Sequence, residues 1–151
     1  MAATDEKKVR RILVAIDNSK FASVVVEEAA KLANRLGSDV TILSVVNVLG
    51  LFAAEGEVDS SEIDEREREF LSLHRNLIEK YFNHPAILIE SKILHGNPAE
   101  KICEYAETMD ADLVLVGTHG KGTLATAVLE SVSRKVADNC KRSVVVIKKP
   151  S

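Results

Sequence analysis

Residues 11–17 read Arg-Ile-Leu-Val-Ala-Ile-Asp, a continuous apolar run that ends on an acid. A run without polar alternation is typical of a strand that is covered on both faces, as in a parallel sheet packed between helices. Apolar residues then recur at helical spacing over 21–36, and Gly37 follows as a helix terminator. Asn18 and Ser19, between the two segments, are expected to cap the helix. The chain therefore opens with a strand followed by a helix.

The rest of the sequence repeats this alternation of strand and helix. Further strands are predicted over 40–46, 86–94, 111–116 and 142–149, and further helices over 62–82, 98–109 and 128–140. Asn97 and Pro98 form a clear start signal for the helix that begins at 98. Residues 47–61 have no clear period and are expected to form a mobile loop. Strands that alternate with helices pair in parallel through right-handed crossovers. We therefore expect one α/β domain over residues 1–151, a doubly wound, Rossmann-like three-layer sandwich with a five-stranded parallel sheet.

Composition and charge argue against several classes of partner. The formal net charge is only -3 and charged residues of both signs make up 28% of the chain, so nothing favours nucleic acid or anionic lipid. No apolar run approaches the length of a membrane span. We expect a soluble, cytoplasmic protein without a membrane partner. Cys103 and Cys140 lack the spacing of a metal or redox motif, and they are expected to be small buried apolar residues in a reducing compartment.

Unusual residues stand at the ends of three predicted strands: Asp17 after the first, Gly96 and Pro98 after the third, and the stretch 117–123 after the fourth. In doubly wound sheets, ligands bind at the carboxyl ends of the strands, where the winding direction reverses. Asp17 ends the first strand, and its carboxylate either accepts hydrogen bonds from ribose hydroxyls or caps the next helix. Gly117 and Gly120 follow the fourth strand, where they either let backbone N–H groups approach a phosphate or only make a tight turn. The sequence predicts that these two loops meet in one crevice.

Familiar catalytic motifs do not fit the chain. A P-loop is excluded because Leu115 stands where its first glycine belongs and Gly122 separates Lys121 from Thr123. No dinucleotide fingerprint follows the first strand. No catalytic triad, carboxylate pair or metal-spaced set is evident, so we expect no dedicated catalysis and at most slow, incidental nucleotide hydrolysis. The residues that could support a nucleotide hydrolase are Lys121 and His119 alone.

Five stretches in the same order resemble the universal stress protein family over nearly the whole chain. They are ILVAIDNS (12–19), VTILSVV (40–46), HGNPAEKI (95–102), ADLVLVGTHGKG (111–122) and SVVVIKK (143–149). The resemblance implies an adenine nucleotide alpha hydrolase-like fold with the strand order 3-2-1-4-5. It also implies a regulatory module of the stress response rather than an enzyme.

The last strand is the expected dimer interface. Family members that resemble this chain pair their last strands across a two-fold axis, which implies a homodimer through Ser143–Lys149. An apolar strand at the edge of a sheet also exposes unpaired backbone groups, which a second copy of the chain would cover. The alternative is an edge protected by Lys148, Lys149 and Pro150.

One motif position departs from the family pattern. The nucleotide-binding branch has Gly-x-x-Gly, nine residues and Gly-[Ser/Thr], which map onto Gly117, Gly120, Glu130 and Ser131. Glu130 therefore places a carboxylate where the branch has glycine. At about 5 Å and an effective dielectric of about 20, a like-charge contact with a phosphate costs roughly 3 kcal/mol before screening. Alternatively, Glu130 itself occupies the positive end of the next helix.

The resemblance implies a site for an adenine nucleotide, either ATP or AMP, with Mg²⁺ in the case of ATP. Its implied residues are Ile16, Asp17, Val45, Val116, Gly117, Gly120, Glu130, Ser131, Val132 and Ser133. Because of Glu130, a second hypothesis stays open: a dimeric stress protein that does not bind nucleotide and acts through association with unidentified protein partners.

Overall fold

The structure, a computed structural model, describes residues 8–118 and 132–148. Its strands form one parallel sheet of five members in the order β3-β2-β1-β4-β5. They are β1 (Arg11–Ala15), β2 (Asp39–Val46), β3 (Ile89–His95), β4 (Leu113–Gly117) and β5 (Ser143–Ile147). The α/β fold and the strand order expected from the sequence are confirmed.

Five helices are seen in the described residues, and four of them cover the two faces of the sheet. They are α1 (Ala22–Leu36), α2 (Val48–Glu55), α3 (Ser60–Tyr81), α4 (Pro98–Thr108) and α5, which covers 132–139 of the described residues. Helices α1 and α3 pack on one face, and α4 and α5 pack on the other. Over the ranges 8–118 and 132–148, no helix combines the length and apolar character that crossing a membrane requires.

Strand β1 lies at the centre of the sheet and explains the two-sided core. Ile12 and Val14 point to the α1 and α3 face, whereas Leu13 and Ala15 point to the α4 and α5 face. Side chains alternate along a strand, so a strand buried on both faces must be apolar throughout. Ile12, Leu13 and Val14 are fully buried, as the continuous apolar run predicts.

Residues 48–55 form helix α2, so the prediction of a loop over 47–61 was wrong for this part. The side chain of Asn47 caps the helix by accepting a hydrogen bond from the backbone N–H of Gly50 at 3.0 Å. The helix is apolar on most sides, and Leu49 and Phe52 are exposed. Because periodicity identifies a helix only when one face is polar, this segment showed no helical signal.

The predicted caps have different outcomes. Asn97 caps α4 as expected, with its Oδ1 accepting from the backbone N–H of Glu100 at 3.1 Å. The prediction that Asn18 and Ser19 cap α1 was wrong, because that helix begins at Ala22 without a side-chain cap.

Strand β3 begins three residues later than predicted, at Ile89. The glycine-bearing segment expected after the fourth strand and the start of the helix predicted over 128–140 fall largely outside the described residues.

The two cysteines form a disulfide, so the prediction of free buried cysteines was wrong. Cys103 lies in α4, and Cys140 directly follows α5. These helices are neighbours on one face of the sheet, and the topology brings the two Cα atoms within 5.0 Å across 37 residues of sequence. Because the two cysteines are far apart in the sequence, their contact in the fold could not be predicted from spacing.

Candidate functional site

A cavity of about 330 Å³ opens at the carboxyl ends of three strands. Ala15 of β1 pairs with Leu43 of β2 and with Val116 of β4, so the three strands end near the same level. Helix α1, the first helix after β1, packs on one face of the sheet, and α5, which lies between β4 and β5 in the sequence, packs on the other. This is the switch point where doubly wound folds bind ligands. The volume lies within the range of small-molecule sites.

Strand ends and two helices line this cavity. The strand ends contribute Ala15, Ile16, Asp17, Leu43, Val45, Asn47, Val116 and Gly117, and the helices α4 and α5 contribute Pro98, Ile102, Val132 and Ser133. Among these lining residues of the described chain, Asp17 is the only one that carries a formal charge. An apolar enclosure with one carboxylate suits a flat, uncharged ring with hydroxyl groups attached.

The structure brings together most of the residues that the sequence proposed for the site. Seven of them line the cavity: Ile16, Asp17, Val45, Val116, Gly117, Val132 and Ser133. The expected meeting of the segments after β1 and β4 is therefore found, since Asp17 and Gly117 line the same cavity. Gly120, Glu130 and Ser131, together with His119 and Lys121, lie outside the described residues. The ligand-binding role of the whole set stays a prediction.

Sequence reasoning missed several lining residues. Asn47 follows β2, so the rule that places ligands at strand ends could have identified it. Pro98, which the sequence marked at the end of the third strand, does line the cavity. Ile102 comes from α4, and its place in the site depends on how that helix lies over the sheet. No pattern in the sequence reports that position.

Asp17 is half-buried at the cavity and orders the turn after β1. Its Oδ1 accepts a hydrogen bond from the backbone N–H of Ser19 at 3.0 Å. This bond is made before α1 begins, so the carboxylate is not the cap of that helix. Within the described part of the chain, Oδ2 makes no hydrogen bond. The second oxygen is therefore available to a ligand hydroxyl.

Gly117 is required by close packing against α1. A Cβ at this position would lie 2.7 Å from Cγ2 of Val25 and 2.9 Å from Cδ1 of Phe21. Both neighbours are buried side chains of the core. The glycine therefore lets α1 approach β4, a reason that neither of the two interpretations of this position from sequence contained.

A buried hydrogen-bond chain supports the β1 end of the cavity. The Oγ of Ser44 donates to the carbonyl of Ile16 at 2.8 Å and lies 2.7 Å from Nε2 of His74. Since the single hydroxyl proton of Ser44 is used on Ile16, the Nε2–H of His74 must donate to Ser44. Nδ1 then accepts from Ser91, 2.6 Å away. Helix α3 is thus joined through β2 to a cavity residue.

His74 is neutral in this chain of hydrogen bonds. The side chain is fully buried, and burial lowers the pKa of His74 from 6.5 to about 4 because the charged imidazolium loses its hydration. In the two described ranges, no group of three or more His, Cys, Asp or Glu side chains is arranged to hold a metal ion.

Comparisons with known proteins agree on one family. The model described as "Universal stress protein family" matches residues 8–148. Universal stress protein MJ0531 of Methanocaldococcus jannaschii is 32% identical over 150 residues, which cover 96% of this chain and 85% of the relative. Universal stress protein Rv1996 of Mycobacterium tuberculosis is 27% identical over 143 residues, covering 92% of this chain but only 44% of that longer relative.

Solved structures share the fold. The hypothetical protein MJ0577 superposes with a TM-score of 0.81 at 21% identity, over 96% of this chain and 99% of the other. A universal stress protein from Archaeoglobus fulgidus in complex with dAMP gives 0.68 at 23% identity, over 94% and 100%. A universal stress protein in complex with cAMP gives 0.66 at 20% identity, over 94% and 98%. At these identities, the similarity establishes the architecture.

Proposed function

We propose that this chain, which belongs to the universal stress protein family, binds an adenine nucleotide, AMP or ATP, in the cavity between β1 and β4. In this proposal it is a cytoplasmic regulatory module of the stress response without a dedicated catalytic centre. Two proteins of the same fold, solved with dAMP and with cAMP, support an adenine nucleotide as the class of ligand.

The observation that carries the proposal is the meeting of Asp17 and Gly117 in one apolar cavity. The apolar ends of β1, β2 and β4 offer surfaces on which a purine ring can pack. Asp17 then accepts hydrogen bonds from the ribose hydroxyls through Oδ2. The phosphates extend past Gly117, the first residue of the glycine motif.

AMP is the ligand that the charges favour over ATP. Glu130 follows the second motif glycine in the sequence, and each contact between its carboxylate and a phosphate costs roughly 3 kcal/mol before screening. This is about two decades of affinity, and the cost grows with the number of phosphates. If ATP binds, Mg²⁺ is proposed to accompany it and offset this repulsion.

Calorimetric titration of the full chain tests the proposal. We expect saturable binding of AMP, and weaker binding of ATP that improves with magnesium. The substitution Asp17→Asn removes the charged acceptor and is expected to weaken AMP binding by about tenfold. The substitution Asp64→Asn makes the same charge change at an exposed position of α3 outside the cavity, and should leave the affinity unchanged.

Two results would overturn the proposal. The first is the absence of saturable binding of both AMP and ATP. The second is steady nucleotide turnover that is abolished by substitution of His119 or Lys121, since it would show a catalytic centre.

A second candidate function is protein association without nucleotide. Glu130 favours it in the sequence, and the exposed side chains of Leu49 and Phe52 on α2 favour it in the structure. Removal of the charge by Glu130→Gly separates the two candidates. If the wild type binds no nucleotide and Glu130→Gly binds ATP, the association function is supported. Unchanged ATP affinity in Glu130→Gly would show that this carboxylate does not determine nucleotide binding.

A further inference from the structure

The Cys103–Cys140 disulfide links the two helices that form one wall of the cavity. Helix α4 contributes Pro98 and Ile102 to the lining, and α5 contributes Val132 and Ser133. Cys103 is in α4, and Cys140 directly follows α5. The chain contains only these two cysteines, so the protein has two thiol states, with this disulfide either formed or reduced.

Both cysteines are connected to the cavity through short stretches of helix. Cys103 directly follows Ile102 in α4. The backbone N–H of Cys140 bonds to the carbonyl of Val136 at 3.0 Å, which continues the hydrogen bonding of α5. Val132 lies eight residues before Cys140, or about 12 Å along the axis at 1.5 Å per residue. The disulfide therefore fixes the end of α5 about two helical turns from Val132, a residue of this helix that lines the cavity.

The disulfide is accessible from outside the cavity. Both cysteines are half-buried, and a surface groove of about 380 Å³ includes Cys103 in its lining. Polar side chains border this groove, among them Glu104, Lys135 and Asn139. The groove and the cavity share no lining residue. A small thiol reagent can therefore reach the bond whether or not the cavity is filled.

Other contacts hold this wall together when the disulfide is absent. Val136 of α5 is fully buried in the same apolar cluster as Ile102 and Ala106 of α4. Arg142, just beyond Cys140, also pairs with Glu107 at 3.1 Å. Reduction should therefore leave the fold in place and increase the freedom of α5 against α4.

We propose that Cys103–Cys140 is a redox site that sets the mobility of the cavity wall and, through it, the affinity for ligand. The reductant is a small dithiol. One thiolate of the dithiol attacks a cystine sulfur and forms a mixed disulfide, and its second thiol then displaces the remaining cysteine. The products are two cysteine thiols and a cyclic disulfide, so two electrons and two protons pass from the dithiol to the protein. Oxidised glutathione restores the bond: one cysteine thiolate displaces one glutathione to form a mixed disulfide, and the other cysteine then displaces the second glutathione as a thiol.

The direction of the effect follows from pre-organisation. In the oxidised chain α5 is already held against α4, so this wall loses less conformational entropy when a ligand binds. The affinity part of the proposal rests on the proposed nucleotide binding. The mobility part does not.

AMP titration of the full chain in two redox states tests the affinity. After oxidised glutathione we expect no free thiol, and after dithiothreitol we expect two. Reduction should weaken AMP binding by about fivefold or more. The variant Cys103→Ser/Cys140→Ser is the matched control. It should bind AMP like the reduced wild type and should not respond to dithiothreitol.

Hydrogen exchange of the amides at 132–139 tests the mobility without any ligand. We expect faster exchange in the reduced chain than in the oxidised chain, and no effect of dithiothreitol on the double serine variant. If AMP binds in neither state, the nucleotide function fails, and the exchange rates alone support or overturn the redox site. Equal exchange in both states, equal AMP affinity in both states, or two free thiols after oxidised glutathione would each overturn it.

Discussion

The buried imidazole of His74 makes the stability of this protein depend on pH. Its pKa is about 4 in the folded chain because of burial, against an ordinary value of 6.5. Between these values the unfolded chain binds the proton more strongly than the folded chain. The stabilisation is therefore complete above pH 6.5, and it is lost as the pH falls toward 4.

We expect this one group to reduce the free energy of unfolding by about 2 kcal/mol between pH 7 and pH 5. Urea unfolding of the wild type and of His74→Gln at both pH values measures the effect. Glutamine keeps polar atoms but does not titrate, so the variant should lose less stability over this interval. Equal losses in the two proteins would contradict the assignment of a neutral, buried His74.

Gly117 should be intolerant of even one methyl group. Gly117→Ala places a Cβ against the buried Val25 and Phe21, and overpacking of this kind costs about 1–3 kcal/mol. Urea unfolding measures the loss, and the addition of Val25→Ala should restore part of it by removing one of the clashing atoms. An unchanged midpoint for Gly117→Ala would show that α1 and β4 are not packed as described.

Most of the strands and helices could be predicted from local patterns, and the exceptions have identifiable causes. Strands β1, β2 and β4 are apolar runs because helices cover both their faces. Helix α2 escaped prediction because it lacks a polar face, although Asn47 is a normal cap. The disulfide escaped because two distant cysteines meet only after the crossovers of the sheet are formed.

The site was predictable to the extent that it is built from strand ends. Asp17 and Gly117 follow strands that the sequence identifies, and the rule for doubly wound sheets brings them together. Ile102 was missed because the placement of α4 over the sheet depends on packing between distant residues. The same dependence conceals the buried contact of His74 with Ser44.

The whole molecule is expected to be a homodimer, because in the described part of the chain β5 lies at the edge of the sheet, with β4 on one side and no strand on the other. Four of its residues, 144–147, are only half-buried. An uncovered apolar edge is a surface on which a second copy can continue the sheet.

Sedimentation of the full chain at micromolar concentration should give twice the chain mass of 16.5 kDa. Val146→Lys adds a charge to this edge and should shift the equilibrium toward monomer, whereas Ser23→Lys on α1 serves as the control for added charge. A wild type that sediments only as a monomer would contradict the dimer.

The disulfide also closes a covalent ring that spans 37 residues of sequence, within which β4 and the whole glycine motif lie. A protease that cuts one peptide bond anywhere between 103 and 140 leaves the two fragments attached to each other. While the bond is oxidised, β5 therefore cannot diffuse away from the sheet after such a cut. The nicked protein migrates as one species in a denaturing gel until a reductant separates it into two.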